Sequence, residues 1–416
     1  MPDDGGPATL EAIRVVVALL SIGALTALVT RRLRIPYTVS LVVLGIAAGA
    51  VLPTGTIRVT PELVLLVLVP GLVFEAALRL ELADLRSTFG WMVLLAAPGV
   101  LLSAGIVAIV LNLTTGLPLE LGLVVGAMVA ATDPVAVIAT FRNLGAPRRL
   151  ATLVEGESLF NDGTALVLFV VAVASVTGKV TLGESAVSVI VTVITSVGVG
   201  LAAGWLASRL MRLVDDHLIE LTLSLAAAYG TYVLVDALHQ SGIIATVVAG
   251  VVIGTYGRTV GLSKPALEAL DVVWELVAFV LTAFAFLLVG LAISFGDLVA
   301  AAPSILWAVL AILAGRAVVV YGLLGGAARL LRDRTELTTV PIGWLHVMFW
   351  AGLRGAVAVA MALSLPEGFP QRSLLQEITF GVVLFTLFVQ GTTAERVVAR
   401  LGLRGAAHVE PGDQAA

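Results

Sequence analysis

Runs of about 20 apolar residues recur along the whole chain, and they constrain its fold more than any other feature. A helix of that length crosses the hydrocarbon core of a bilayer, and a helix satisfies all of its own backbone hydrogen bonds there. Only 12% of the 416 residues are charged and 59% are hydrophobic, against about 25% charged in a soluble domain. The sequence therefore predicts an all-α polytopic membrane protein. The chain has no cysteine, which excludes disulfides and thiolate metal sites.

Thirteen transmembrane spans are expected, over residues 9–30, 36–52, 61–80, 88–111, 120–141, 150–176, 183–211, 218–238, 242–256, 269–293, 303–330, 338–363 and 373–398. The loops between them are short, so residues 1–401 read as a single transmembrane domain, and residues 402–416 as a short, disordered cytoplasmic tail. Of the 24 Lys+Arg, 18 fall in the loops after odd-numbered spans and in the C-terminal segment, and only Arg58, Lys179 and Arg372 in the opposite loops. Basic residues favour the cytoplasmic side. The expected orientation is N-terminus outside and C-terminus inside, in the plasma membrane.

Some charges fall inside the spans. Insertion into the bilayer centre costs roughly 2.5–3.5 kcal/mol per charged group, so such residues mark functional sites and need partners. The sixth span opens with Glu155-Gly156-Glu157-Ser158-Leu159-Phe160-Asn161-Asp162-Gly163-Thr164. On a helix, Ser158 and Asp162 share a face at i, i+4, and Glu157 and Asn161 form a second such pair beside them. Glu75 and Asp133 are further acids at membrane depth; Arg316 and Arg354 are the intramembrane cations. Arginine cannot shed its proton to escape the bilayer, so each must face the interior and meet a carboxylate or a helix C-terminus.

Two spans are expected to be broken. The fifth contains Ala131-Thr132-Asp133-Pro134, and proline there clashes with the carbonyl of Ala130. The twelfth contains Gly352-Leu353-Arg354-Gly355, two glycines around a charge. Broken helices at matching positions of two halves point to a transporter site between inverted repeats. Spans 1–6 and 8–13 are the expected six-helix repeats, with broken spans 5 and 12 crossing each other.

These stretches, together with Phe74-Glu75-Ala76-Ala77-Leu78, Gly315-Arg316-Ala317 and Gly381-Val382-Val383-Leu384-Phe385-Thr386, occur in one order along the chain. In them the sequence resembles the monovalent cation:proton antiporter-1 family of bacterial NhaP-type and animal NHE-type sodium/proton exchangers. The resemblance implies Na⁺ bound at Asp162, Asp133, Ser158 and Thr132, with Asp162 carrying either the cation or the proton. It implies that Glu75 and Asn161 act through water or by hydrogen-bonding Asp133. Glu157 and Arg316 would form a structural ion pair, and Arg354 would neutralise helix ends and carboxylates at the crossing. A homodimer is implied as well.

The chemistry agrees. Sodium is a hard cation that takes oxygen ligands, and carboxylate, hydroxyl and carbonyl are what these positions offer. Desolvation disfavours a carboxylate's charged form and a bound cation favours it, so one group holds a proton or a cation in turn. The expected function is exchange of Na⁺, and of Li⁺, for H⁺ by alternating access, in the service of pH homeostasis and sodium transport. No cofactor, nucleic acid or enzymatic activity is expected; the partners are monovalent cations, protons and the lipid bilayer. Because Asn161 cannot titrate, one-for-one electroneutral exchange is expected, with Asp133 staying ionised. The alternatives are a K⁺/H⁺ or broad-specificity exchanger and, more remotely, a cation channel. A channel would need a ring of carbonyls or charges along a pore, whereas these carboxylates cluster on two adjacent spans.

Overall fold

The computed structural model describes residues 5–33, 36–51, 62–80, 82–135, 137–138, 141, 145–178, 182–330 and 340–401. Every described element is helical. In chain order they are α1 (Gly5–Leu33), α2 (Tyr37–Val51), α3 (Leu63–Leu78), α4 (Arg86–Thr115) and α5 (Leu119–Ala130). There follow α6 (Arg148–Val176), α7 (Leu182–Met211), α8 (His217–Ala237), α9 (Gly242–Val260) and α10 (Lys264–Leu291). After a short helix, Phe295–Ala300, come α11 (Ala302–Leu330), an interrupted α12 (Ile342–Trp350 and Ala356–Leu363), and α13 (Arg372–Arg400). Among the described residues, 8 helices are long and apolar enough to cross a membrane, namely α4, α6–α11 and α13, and shorter apolar helices accompany them. The expected tail, residues 402–416, and the expected outer cations Arg58 and Lys179 lie outside the described residues.

Local chemistry sets the helix ends. Asp216 accepts hydrogen bonds from Leu218 N and Ile219 N at the start of α8 (2.9 and 3.4 Å). Ser241 and Ser263 do the same for α9 and α10 through Ile244 N and Ala266 N. Each supplies an acceptor to backbone donors that have no partner in the first turn. The fifth span stops where its sequence says it must. Helix α5 ends at Ala130, residues 131–134 are non-helical, and Ile138 N returns to helical pairing with Pro134 O at 2.8 Å. Five of the described helices carry wide π turns: α3 over Leu63–Leu68, α4 over Leu95–Gly99, which contains Pro98, α9 over Ile253–Gly257, α11 over Val318–Leu324 and α13 over Thr386–Gly391.

The helices form two packed groups. In one, α2 lies along α10 and α3 along α9, with α1, α7 and α8 around them; in the other, α4–α6 pack with α11–α13. The α2–α10 contact is backbone to backbone. A Cβ on Gly45 would strike Leu287 O and come within 2.9 Å of Gly290 Cα. This contact fixes one wall of the space between the groups, because Tyr37 on α2 also stacks on Phe279 of α10, ring centroids 5.4 Å apart.

Gly45→Ala is expected to destabilise the protein by about 1–3 kcal/mol, the usual cost of forcing a methyl group into a full contact. Thermal unfolding of the purified variant in detergent should show a lowered midpoint, whereas Gly90→Ala, at a position with nothing within 4 Å of the added atom, should not.

Candidate functional site

Between the two helix groups lies a cavity of about 310 Å³. Its lining includes Thr132, Asp133 and Pro134 from the break after α5, and Glu155, Ser158 and Asp162 from α6. Glu75 and Arg79 of α3, Tyr37 of α2, Glu275 and Phe279 of α10 and Gly355 of α12 complete the walls. Six of the expected site residues are thus divided: Thr132, Asp133, Ser158, Asp162 and Glu75 line one space, and Asn161 stands behind it.

Helical geometry explains the division. At about 100° per residue, positions 155, 158 and 162 project to one side of α6, and positions 157 and 161 to another. The first side faces the cavity. The other faces the interior of its own helix group, where Glu157, Asn161, Arg316 and Arg354 surround a void of about 20 Å³, large enough for one water molecule.

Along the cavity face, Ser158 Oγ and Thr132 Oγ1 are 2.7 Å apart. Asn161 Nδ2 donates to Thr132 Oγ1 (2.7 Å), and Asn161 Oδ1 accepts from Thr132 N (3.3 Å). The amide therefore grips Thr132 at both its backbone and its side chain. This corrects one expectation: Asn161 holds Thr132, not Asp133. Asp133 is fixed by main chain instead, its N–H donating to Leu353 O of the twelfth-span break (2.8 Å) and its Oδ1 accepting from Val135 N (3.0 Å). The two breaks also approach so closely that a Cβ on Gly355 would overlap the Asp133 carboxylate, which explains a glycine there. Asp162 Oδ1 is buried and accepts no hydrogen bond from the described residues.

The cations sit as their chemistry demands. Arg354, 2% exposed, donates through Nη1 to Ala130 O (3.2 Å) and Ala131 O (3.3 Å), the carbonyls left open where α5 stops. Its own N–H donates to Thr386 Oγ1 of α13 at 3.0 Å. Arg316 forms a bidentate pair with Glu157, Nη2 to Oε2 at 3.0 Å and Nη1 to Oε1. It also donates to Met348 O from Nη2 (2.7 Å) and Nε (3.1 Å). Met348 lies in the last full turn of the first half of α12, so Arg316 caps a second interrupted helix. At the opposite end of the cavity, Arg79 donates to Glu75 four residues before it and lies 3.9 Å from Glu275. Glu75 is thus held by an ion pair as well as exposed to the cavity. Sequence reasoning missed the Met348 carbonyl and Tyr37. The carbonyl is a main-chain acceptor that no side-chain pattern reveals, and Tyr37 reads as an ordinary interfacial aromatic.

Residues 16–400 match the family model described as sodium/hydrogen exchanger, transmembrane. The chain belongs to the sodium/hydrogen exchanger family. It is similar to the low-affinity Na⁺/H⁺ antiporter NhaS1 of Synechocystis sp., at 39% identity over 399 residues, covering 95% of this chain and 75% of that one. It is also similar to the Na⁺/H⁺ antiporter ApNhaP of Aphanothece halophytica, at 38% identity over 403 residues, covering 95% and 75%. Its fold is shared with the sodium proton antiporter MjNhaP1 of Methanocaldococcus jannaschii, TM-score 0.76, covering 94% of this chain and 99% of that one, at 18% identity.

Removing one partner of the buried pair leaves the other charge stranded. Glu157→Ala should destabilise the exchanger by about 3–5 kcal/mol, and Glu157→Ala with Arg316→Ala together should recover part of that loss. Thermal unfolding and detergent-extracted yield measure both; a double variant no better than the single would mean that Glu157 is not what neutralises Arg316.

Proposed function

We propose that this protein exchanges Na⁺ for H⁺ across a membrane by alternating access, with Asp162 as the group that carries each ion in turn. The observation that carries the proposal is a buried Asp162 oxygen with no hydrogen-bond donor among the described residues, in a cavity that also presents Ser158, Thr132 and Asp133. An unsatisfied carboxylate oxygen beside a hydroxyl pair and a second carboxylate is a hard-cation ligand set, and the same oxygen accepts a proton when the cation leaves. The names of the similar antiporters support Na⁺ as the cation. Li⁺ is the next candidate, and K⁺ would mark the broad-specificity alternative.

The wider architecture belongs to the same proposal. Thirteen crossings in two inverted repeats, α1–α6 and α8–α13, are supported by the pattern of contacts. Shifting each helix by seven positions converts the α2–α10 contact into α9–α3, α1–α10 into α8–α3, α4–α6 into α11–α13, and α5–α6 into α12–α13; every one of these pairs packs. Of the five wide turns, those of α4 and α11 are exchanged by the same operation, and those of α3, α9 and α13 have no counterpart. With the N-terminus outside, Arg79 and Glu275 stand at the cytoplasmic end and the cavity opens inward. A plasma-membrane homodimer completes the reading; the exposed flank of α7 carrying Val187, Ile190 and Ile194 is a surface available for it.

The test is dissipation of a pH gradient in proteoliposomes titrated separately with Na⁺, Li⁺ and K⁺. Asp162→Asn should abolish cation-dependent proton flux in a protein that still unfolds cooperatively, because an amide takes up no proton and supplies no counter-charge. Near-normal flux from that variant would remove Asp162 from the mechanism, and proton flux that ignores the cation on the other side would indicate a channel.

Stoichiometry is a separate prediction. Asn161 cannot titrate, and Asp133 is held at Oδ1 by Val135 N–H, so one proton is expected to exchange for one cation. A membrane potential acts on net moved charge at about 2.3 kcal/mol per charge per 100 mV. The zero-flux Na⁺ gradient at fixed ΔpH should therefore stay put when the vesicle potential is clamped at several values. A null point that moves with voltage would make Asp133 the carrier of a second proton.

A further inference from the structure

The face of α6 turned away from the cavity holds three polar side chains at helical spacing, Glu157, Asn161 and Thr164. Each is tied to a different element. Glu157 bonds Arg316 of α11, and Asn161 bonds Thr132 of the fifth-span break. Thr164 Oγ1 lies 2.5 Å from Ala96 O of α4. Neither the family resemblance nor the proposed exchange cycle gives Thr164 a part.

A threonine inside a helix ordinarily turns its hydroxyl back on its own carbonyls, three or four residues before it. For Thr164 those are Asn161 O at 3.1 Å and Phe160 O at 3.2 Å. The hydroxyl has one proton, and the shortest of the three contacts leads to the other helix. Its acceptor is not in an ordinary turn. Ala96 belongs to the π turn Leu95–Gly99, which contains Pro98. A π turn widens the helix, tilts carbonyls off the axis and is frequent at functional sites. The approach of the two helices is tight nearer their N-termini as well, where a Cβ on Gly156 would collide with Met92 of α4.

We propose that Thr164 is a positioning residue for the ion site: its bond to the π turn of α4 sets the rotation and depth at which α6 presents Asp162 and Ser158 to Thr132 and Asp133. The inference rests on Asp162 being the carrier. Its consequence is asymmetric between the two transported ions. A proton needs one oxygen, wherever that oxygen points. A desolvated cation needs several oxygens at fixed mutual distances, supplied by α6 on one side and the fifth-span break on the other. Loosening α6 against α4 therefore weakens cation binding and spares proton binding.

The experiment compares Thr164→Val, which keeps the branched shape and removes the donor, with Thr164→Ser, which keeps the donor. In proteoliposomes Thr164→Val should raise the KM for Na⁺ about three- to tenfold, the size of one hydrogen bond's net contribution. The maximal rate per folded molecule, and the pH dependence at saturating Na⁺, should stay as in the unsubstituted protein. Thr164→Ser should behave as the unsubstituted protein in all three. An unchanged KM in Thr164→Val overturns the proposal, and so does a serine variant as impaired as the valine one, since that would assign the effect to methyl packing. Should the valine variant fail to fold, Thr164→Ala replaces it against the same serine control. Asp162→Asn runs alongside: if it transports normally, the site reading fails, whereas an inactive Asp162→Asn with a normal Thr164→Val overturns this inference alone.

Discussion

The structure depends on one constraint: a backbone that stops being helical inside a membrane must find partners for the carbonyls and amides it releases. Helix α5 stops at Ala130, and the guanidinium of Arg354 takes the carbonyls of Ala130 and Ala131. Helix α12 is interrupted after Trp350, and the guanidinium of Arg316 takes the carbonyl of Met348. Each interruption thus imports a positive charge, and each positive charge must be offset in turn. Glu157 offsets Arg316. The carboxylates of Asp133 and Asp162, close by, belong to the same balance. The proposed ion site falls at this crossing because the crossing already demands charge.

Helix α6 reconciles two tasks that pull against each other. For the proposed ion site, its cavity face must leave oxygen atoms without internal partners. Its other face must hold the helix rigidly enough for those oxygens to stay in register with a second element. Spacing separates the tasks: Ser158 and Asp162 are held out, and Glu157, Asn161 and Thr164 are held in. The absence of a donor to Asp162 Oδ1 among the described residues and the double grip on Thr132 by Asn161 are two sides of one design.

Much of this was legible in the sequence, for physical reasons. A proline at 134 after a polar pair can be read as a break, because it removes a donor and blocks the carbonyl before it. Arg316 and Glu157 can be read as partners in need of each other, because neither is tolerable alone. What escaped was whatever depends on main-chain acceptors and on rotation about the helix axis. The resemblance pairs Asn161 with Asp133 or with water; the depth of the break puts Thr132 against it instead. Glu155 reads as a surface residue from its place near the start of α6, yet it shares the cavity face with Ser158 and Asp162. The wide turns of α4 and α11 left only Pro98 and a few glycines as a trace.

The contact between the two breaks has one more consequence. Asp133 N–H meets Leu353 O, so the crossing is sewn through backbone atoms that every residue but proline possesses. Side chains at 132, 133 and 353 can change over evolutionary time without unpicking the seam. Single substitutions there can retune which ion is held, or how tightly, while this backbone seam stays in place. Glycine at 355, where any side chain would collide with Asp133 on the other side of the crossing, stands outside that freedom.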